Sequence, residues 1–205
     1  FKNPVALFIG GVAAVILELA EPRVRSGVWN HSGFRLDPVR RLRRTGLAAM
    51  VTVYGARSVA EDMIAPTRIM HDRVRGVTPD GEPYWGNDPE LLKWVHATAS
   101  FGFLQAYSTY VCPLAAAERD RYYSESGPSA VLYGAPGAVS SEAEMEEFLE
   151  RMRPRLEASP IIHEFLDIMR TAKVLPPVLR AAQPVLVRAS ISLVPEPVTV
   201  ALLGM

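Results

Sequence analysis

The sequence has little cysteine and no excess of charge, and each shortage excludes a class of protein. Cys112 is the only cysteine among 205 residues, so neither an internal disulfide framework nor a cysteine-rich zinc site can form. With 22 basic and 22 acidic side chains, the formal net charge is zero, which predicts no general attraction to nucleic acid or to an anionic membrane. The single cysteine fits a reducing compartment, and we expect a cytoplasmic protein.

The sequence also lacks an apolar run long enough to span a bilayer. The run that begins at Pro4 stops at Glu18, after about 14 residues, whereas a transmembrane helix needs roughly 20. No cationic leader followed by a small-residue cleavage site accompanies it. We therefore expect a buried helix here and no transmembrane segment.

Alternation of apolar and polar residues is missing as well, so strands have little support and the chain reads as all-α. Helix starts are marked by a capping side chain followed by proline or by an acid. They occur at Asp88-Pro89, at Ser141 with Glu144 as a capping box, and at Ser159-Pro160. The first of these helices should extend from about Pro89 to about Val111.

Proline and glycine predict the breaks between helices. Apolar residues from Thr45 to Gly76 follow helical spacing, and Pro66 predicts a kink or two abutting helices, the second of which carries His71. Two segments are predicted as loops, "GVTPDGEPYWGNDP" with a short extended piece at Tyr84, and "SGPSAVLYGAPGAVS". The proline-rich C-terminal tail is expected to be irregular or packed on the body. No repeat or long linker divides the chain, so we expect one domain over residues 1–205.

Several catalytic motifs are absent, which leaves the histidines and one arginine cluster. Phosphate-binding glycine loops, a Gly-x-Ser-x-Gly elbow and His-Glu-x-x-His do not occur. His71 and His96 lie on apolar segments, where a histidine is more often a hydrogen-bonded structural residue than a ligand. In "RRLRRTG", Arg41 and Thr45 share a helix face and could clamp an anion. The plain alternative is a solvated basic turn with Thr45 as an N-cap.

The order of the motifs favours a functional interpretation. Along the chain occur "LAEPRVRSGVWNHSGFRLDPVRRLRRT", "RIMHDRVRG", "DGEPYWGNDPELLKWVHAT", "LAAAERDRYYSES" and "YGAPGAVSSEAEMEEFLERM". This succession resembles the MpaB-type oxygenase family, whose rubber-cleaving relatives are the latex clearing proteins. The resemblance extends from about residue 5 to about residue 155.

That resemblance implies an all-α, globin-like domain that holds haem b through one axial histidine. The family's axial histidine corresponds to His71, which is therefore the expected metal ligand. The family's Arg-x-x-x-Thr pair falls on Arg41 and Thr45, which would shape the polar side of the haem pocket. Arg44 is a further expected cofactor-binding residue. In the rubber-cleaving branch a lysine at this place caps the iron, but arginine stays protonated and cannot donate a lone pair. His96 is expected to be a catalytic group beside the haem, or the ligand itself under another alignment.

The implied reaction uses O2 at the haem to oxidise or cleave a carbon–carbon double bond of an apolar substrate, for example an isoprenoid. The base of that reaction stays open, since Glu18 and Glu21 lie in about the right region without matching the family's spacing. Met50, Tyr54, Met63, Trp94 and Phe101 are candidates to line the pocket.

Two alternatives are kept. One is a non-catalytic helical protein of the same fold that binds a hydrophobic ligand. The other is a non-haem metal site in which His71 and His96 converge with Asp72 or Glu61.

Overall fold

The computed structural model describes residues 2–196 and 198–199 of the chain. In chain order its elements are α1 (Pro4–Ala20), α2 (Pro22–His31), α3 (Pro38–Tyr54), α4 (Arg57–His71), β1 (Arg75–Val77), β2 (Pro83–Trp85), α5 (Pro89–Tyr110), α6 (Ala116–Tyr133), α7 (Glu142–Met152), α8 (Pro160–Thr171) and α9 (Gln183–Ile191). Two 3-10 turns, Arg153–Arg155 and Pro177–Ala182, join the later helices. The prediction of an all-α, multi-helix fold is confirmed, with one small antiparallel hairpin of β1 and β2 inside it.

The core is built around α1, which packs against α5 along its length and also contacts α2, α8 and α9. Glycines allow the close crossing of α1 and α5. A β-carbon on Gly10 would lie 2.6 Å from the carbonyl oxygen of Gly102, and one on Gly102 would overlap the carbonyl oxygen of Gly10. The apolar run at the N-terminus is thus a buried core helix, as predicted.

We expect Gly102→Ala to lower the free energy of unfolding by roughly 1–3 kcal/mol, because the added methyl group forces two backbones apart. Gly46→Ala is the matched control. A β-carbon on Gly46, inside α3, meets nothing within 4 Å, so alanine should stabilise that helix by up to about 1 kcal/mol. Urea denaturation of the two variants checks both signs, and equal stability of Gly102→Ala and the parent chain would contradict the crossing.

The helices predicted from their caps are present. Asp88 caps α5, and its carboxylate accepts from the backbone N–H of Glu90 and of Leu91. The hydroxyl of Ser141 accepts from the N–H of Glu144 at the start of α7, but the Glu144 carboxylate accepts from Ser140 rather than returning to Ser141. The capping box is therefore displaced by one residue.

Three predicted boundaries are wrong. The chain breaks at Gly55, and α4 continues through Pro66, so two helices do not abut there, whereas a kink at Pro66 stays a prediction. Thr45 is not an N-cap, because α3 begins earlier and the Asp37 carboxylate accepts from the N–H of Arg40. Most of the predicted loop from 126 to 140 is helical, since α6 continues to Tyr133.

Helices α3 and α4 contact each other and stand off from the core. α3, every residue of which is described, buries none of them, and α4 buries Ala60 and Ile64 alone. Apolar side chains remain exposed on both helices, among them Leu47 and Ile69. A face of the α1 and α5 core therefore lies opposite a loosely packed helix pair.

Within the described part of the chain, no individual helix is both long and apolar enough to cross a membrane. Taken together, α1 and α2 pass such a test, with a bend of 110° between them.

Candidate functional site

His71 is the last residue of α4, and the segment before α5 holds this helix end in place. The Asn87 amide donates to the backbone carbonyl of Arg68 at 2.9 Å and to the Asp72 carboxylate at 2.7 Å. Gly86 passes close to the helix end, since a β-carbon there would lie 2.6 Å from the carbonyl oxygen of His71. The backbone that carries the imidazole is thus fixed from two sides.

The imidazole of His71 is partly buried and has an unsatisfied nitrogen. Nδ1 is buried and has no hydrogen-bond partner. Burial lowers the pKa of His71, and the nearby positive charge of Arg41 lowers it further, against a smaller opposing effect of Asp72. A neutral imidazole with an unclaimed nitrogen is the form that binds a metal ion.

Arg41 and Thr45 form the pair that the sequence placed on one helix face. Nη1 of Arg41 donates to Oγ1 of Thr45 at 2.8 Å, and that hydroxyl donates to the carbonyl oxygen of Arg41 at 3.0 Å. The hydroxyl thus accepts from the guanidinium while its own proton goes to the backbone of the same residue. Nε of Arg41 is buried, and this donor has no acceptor among the residues that the structure describes.

Arg44 lies on the exposed side of α3. Burial lowers the pKa of Arg41, the nearby Glu18 opposes that shift, and the charge of Arg44 adds to the lowering. Arg44 thus contributes positive potential near the pair without a hydrogen bond to it.

The structure separates the two acids that the sequence left as alternatives. Glu21 is 1% exposed, and its carboxylate accepts from Arg23 at 2.8 Å, from Arg155 at 3.3 Å and from the N–H of Val24 at 2.8 Å. These contacts cap α2 and join it to the chain after α7. Glu21 is therefore a structural ion-pair residue.

Glu18 instead faces the arginine of the site. Burial raises the pKa of Glu18 to about 7, and the charge of Arg41 only partly offsets that effect. Among the described residues, none forms an ion pair with Glu18 within 4.0 Å. Its carboxyl group is consequently able to change protonation near neutral pH.

His96 lies on α5 and turns one ring nitrogen toward α6. Nε2 is 3.4 Å from the hydroxyl oxygen of Ser129, and Nδ1 is buried without a partner. Burial lowers the pKa of His96, with a smaller opposing effect from the backbone of Ser126. His96 is thus a second neutral imidazole, supported by α6 rather than by α3.

Two contacts show that the segments bearing the histidines converge. A β-carbon on Gly134, at the end of α6, would lie 3.2 Å from Leu92 and 3.6 Å from Arg68. Leu92 lies one helical turn before His96, and Arg68 lies one turn before His71. The two imidazoles therefore belong to neighbouring helix segments.

The far end of α3 is tied to α6 by one polar contact. The hydroxyls of Thr52 and Tyr133 are 3.1 Å apart. Because the Thr52 hydroxyl donates to the carbonyl of Ala48 at 2.8 Å, Tyr133 is the donor in this pair. With Glu18 on α1, His71 on α4 and His96 on α5, the polar groups described so far come from five helices, and we give one name to the region between α3 and the other four. We call it the α3 cleft.

Some predicted lining residues lie elsewhere. Trp94 is fully buried and donates to the carbonyl of Leu17, and Phe101 also belongs to the core. Tyr54 is half exposed and lies under Lys2 rather than in an interior wall. Met50 and Met63 are partly buried on α3 and α4, where lining the α3 cleft stays a prediction.

The non-haem metal hypothesis is wrong for the part of the chain that the structure covers. No group of three or more His, Cys, Asp and Glu side chains there could hold a metal ion. Glu61 pairs with Arg57 at 2.8 Å, and Asp72 accepts from Asn87. Each of these carboxylates therefore has another partner than a metal ion.

Sequence reasoning missed the partners on α6. Ser126, Ser129 and Tyr133 are spaced by three and four residues, which puts them on one face of a helix. That spacing was a usable signal. It was hidden because Gly127 and Pro128 predicted a loop.

Comparison with known proteins gives one match. The family described as "ER-bound oxygenase mpaB/B'/Rubber oxygenase, catalytic domain" matches residues 1–203. No curated protein and no solved structure matches the chain.

Proposed function

Since the chain belongs to the family of mpaB and rubber oxygenase catalytic domains, and is therefore an oxygenase and an oxidoreductase, we propose that it works with haem b held by His71. Its proposed substrates are O2 and an apolar, unsaturated molecule, for example an isoprenoid. The 205 residues are proposed to act as one catalytic domain. The cytoplasmic location expected from the single cysteine stays a prediction.

The residues present fit a haem. An axial ligand must offer a neutral nitrogen, and the imidazole of His71 has no hydrogen-bond partner on either ring nitrogen among the described residues. A propionate needs a cationic hydrogen-bond donor, and Nε of Arg41 is a buried donor without a partner. Because the charge of Arg41 affects the pKa of His71, the two unsatisfied atoms belong to one site. This convergence is the observation that carries the proposal.

A haem also needs room beside its ligand, and the loosely packed pair of α3 and α4 is proposed to provide it. α3 is amphipathic and yet buries no residue, so its apolar side chains lack the partners that a closed core would give them. A flat apolar macrocycle is a fitting neighbour for such a face. When bound, haem b supplies O2 activation and the electron-transfer chemistry.

The chain's own residues then have distinct roles. Thr45 fixes the guanidinium of Arg41, and Arg41 provides a positively charged donor for a propionate or for oxygen. Glu18 is proposed as the base, because its carboxyl is partly buried, has a pKa near neutrality and faces Arg41. A proton taken by Glu18 neutralises it in a setting where burial favours the neutral form.

The direct test is the absorption spectrum of the chain, expressed with iron and a haem precursor, before and after dithionite. We expect a Soret band that shifts on reduction, with about one haem per chain. Colourless protein that carries a co-purifying hydrophobic ligand would contradict the haem assignment and favour a cofactor-free use of the α3 cleft. Extraction and mass spectrometry of the bound organic material separates the two outcomes.

A further inference from the structure

The arginines of α3 lie on two different faces of the helix. Arg41 and Thr45 share the face that points into the α3 cleft, and Thr52 continues that face through its contact with Tyr133. Residues two positions apart lie about 200° from each other around a helix. Arg43 is two positions from both Arg41 and Thr45, so it lies on the opposite face of α3.

That opposite face carries a row of exposed side chains, which we call the outer stripe of α3. Its residues, Arg40, Arg43, Leu47 and Tyr54, are spaced by three, four and seven positions and therefore share one face. Both arginines are exposed, Leu47 is 57% exposed and Tyr54 is 50% exposed. A haem in the α3 cleft would contact the other face of the helix. The outer stripe therefore needs a partner of its own if it is to be covered.

The positive charge of this surface has no counter-charge within the part of the chain that the structure describes. α3 contains four arginines and no acidic residue, although the whole chain has zero net charge. Among the described residues, none forms an ion pair with Arg40, Arg43 or Arg44 within 4.0 Å. The Asp37 carboxylate accepts from the backbone N–H of Arg40, not from its guanidinium. An unbalanced patch of positive charge thus faces solvent.

We propose that the outer stripe of α3 docks on an anionic lipid surface. Exposed arginines attract anionic headgroups, and exposed apolar side chains gain free energy when they leave water for the interface. Leu47 and Tyr54 favour a lipid surface over nucleic acid, whose phosphates would engage the arginines alone. The surface continues at both ends, because Leu36 is 92% exposed two residues before α3, and Nζ of Lys2 lies 5.8 Å from the centre of the Tyr54 ring. This docking requires no haem and goes beyond the proposed function.

Co-sedimentation of the full chain with phosphatidylcholine vesicles, with and without phosphatidylserine, tests the proposal. We expect binding only where phosphatidylserine is present, and this binding should weaken as NaCl screens the charges. The double variant Arg40→Gln, Arg43→Gln should bind roughly 30-fold more weakly, because each arginine at an anionic surface contributes about fivefold. Binding to both kinds of vesicle alike, or to neither, would overturn the proposal.

A matched double variant separates the outer stripe from net charge. Arg151 and Arg188 are exposed on α7 and α9. Arg151→Gln with Arg188→Gln changes the net charge of the chain as much as the α3 variant does, but it should bind the vesicles about as well as the parent chain. Equal losses in the two double variants would show that net charge alone governs binding, and would contradict a specific docking surface.

The apolar half of the outer stripe has its own test. Leu47→Gln should weaken vesicle binding by about tenfold, since the leucine side chain no longer enters the interface. Val131, 61% exposed on α6, is the matched control. In vesicles with brominated acyl chains, the fluorescence of Leu47→Trp should be quenched beyond that of the parent chain, whereas Val131→Trp should show no added quenching. Bound Leu47→Trp without added quenching would mean that another face docks.

An acidic protein surface is the alternative occupant, and polyglutamate is its probe. Binding of polyglutamate through Arg40 and Arg43, without binding to phosphatidylserine vesicles, would overturn the lipid assignment. Absorption spectra of the same samples report haem separately, and the double variant of α3 should keep its haem because the outer stripe faces away from the cleft. Colourless protein that docks through the outer stripe would contradict the haem assignment alone, and haem-loaded protein that does not dock would contradict the docking alone.

Discussion

Replacing His71 with alanine is expected to abolish the Soret band, because the variant removes the one nitrogen proposed to bind iron. Losing a supporting partner of a metal ligand typically weakens metal binding by 10- to 100-fold, and losing the ligand itself should cost at least as much. Haem content per chain, from the pyridine haemochrome assay, measures the effect. Added imidazole should restore part of the band by entering the space that the side chain leaves.

Three further variants make that result specific. His163 is exposed on α8, and His163→Ala should leave haem content unchanged. His96→Ala should keep the Soret band, because the proposed ligand is His71 on α4. Arg41→Ala should retain a weakened band, since His71 remains while the partner of the propionate is lost. A band that vanishes in His96→Ala and survives in His71→Ala would show that the axial ligand lies on α5.

Elements that local chemistry specifies could be predicted from the sequence. α5 and α8 each begin with a side chain that accepts from the first free N–H groups, followed by proline. These signals lie within four residues, so no distant partner is needed to interpret them. The same holds for Arg41 and Thr45, whose spacing along α3 is enough to bring them into contact.

Boundaries that depend on exposure could not be predicted in this way. Pro66 lies within α4 on its solvent side, where water can satisfy the carbonyl that proline leaves free. Pro128 is likewise exposed within α6, where the hydroxyls of Ser126 and Ser129 donate to carbonyls three residues earlier. The composition of these segments favours loops, and only their surroundings show that the helix continues.

The choice between Glu18 and Glu21 also needed the structure. Both acids lie near the junction of α1 and α2, and spacing alone gave no preference. Arg23 and Arg155 form ion pairs with Glu21, whereas Glu18 faces Arg41. Arg155 is remote from Glu21 in sequence. Long-range ion pairs of this kind cannot be read from a local motif.

Glu18→Gln should change the pH dependence of stability. Burial raises the pKa of Glu18 in the folded chain to about 7, from an ordinary value of 4.5. Between these values the folded state holds a proton that the unfolded chain has lost, so the free energy of unfolding falls as pH rises through this window. The loss is on the order of 3 kcal/mol. Glutamine cannot ionise, and the variant should be more stable than the parent chain at pH 8 by about that amount.

Urea denaturation at pH 4 and pH 8 measures this difference, and Glu21→Gln is the contrasting control. Because Glu21 lies in a buried ion pair with Arg23 and Arg155, its variant should lose roughly 3–5 kcal/mol at pH 8. Two neighbouring acids are therefore expected to give opposite signs at that pH. If Glu18→Gln is destabilised at pH 8 as well, the carboxyl of Glu18 is held in its charged form by Arg41.

Glu18→Gln also tests whether Glu18 is the base, and this is the prediction with the largest expected effect on turnover. Oxygen uptake by the haem-loaded chain with an unsaturated isoprenoid should rise as pH increases through about 7, because only the ionised carboxylate of Glu18 accepts a proton. Glu18→Gln should lower the rate by about 10²- to 10⁴-fold, remove that step from the pH profile and leave haem content unchanged. If the rate of Glu18→Gln still rises through pH 7, another group is the base. Since the same titration lowers stability as it activates the carboxylate, turnover and the free energy of unfolding should change in opposite directions across one pH interval.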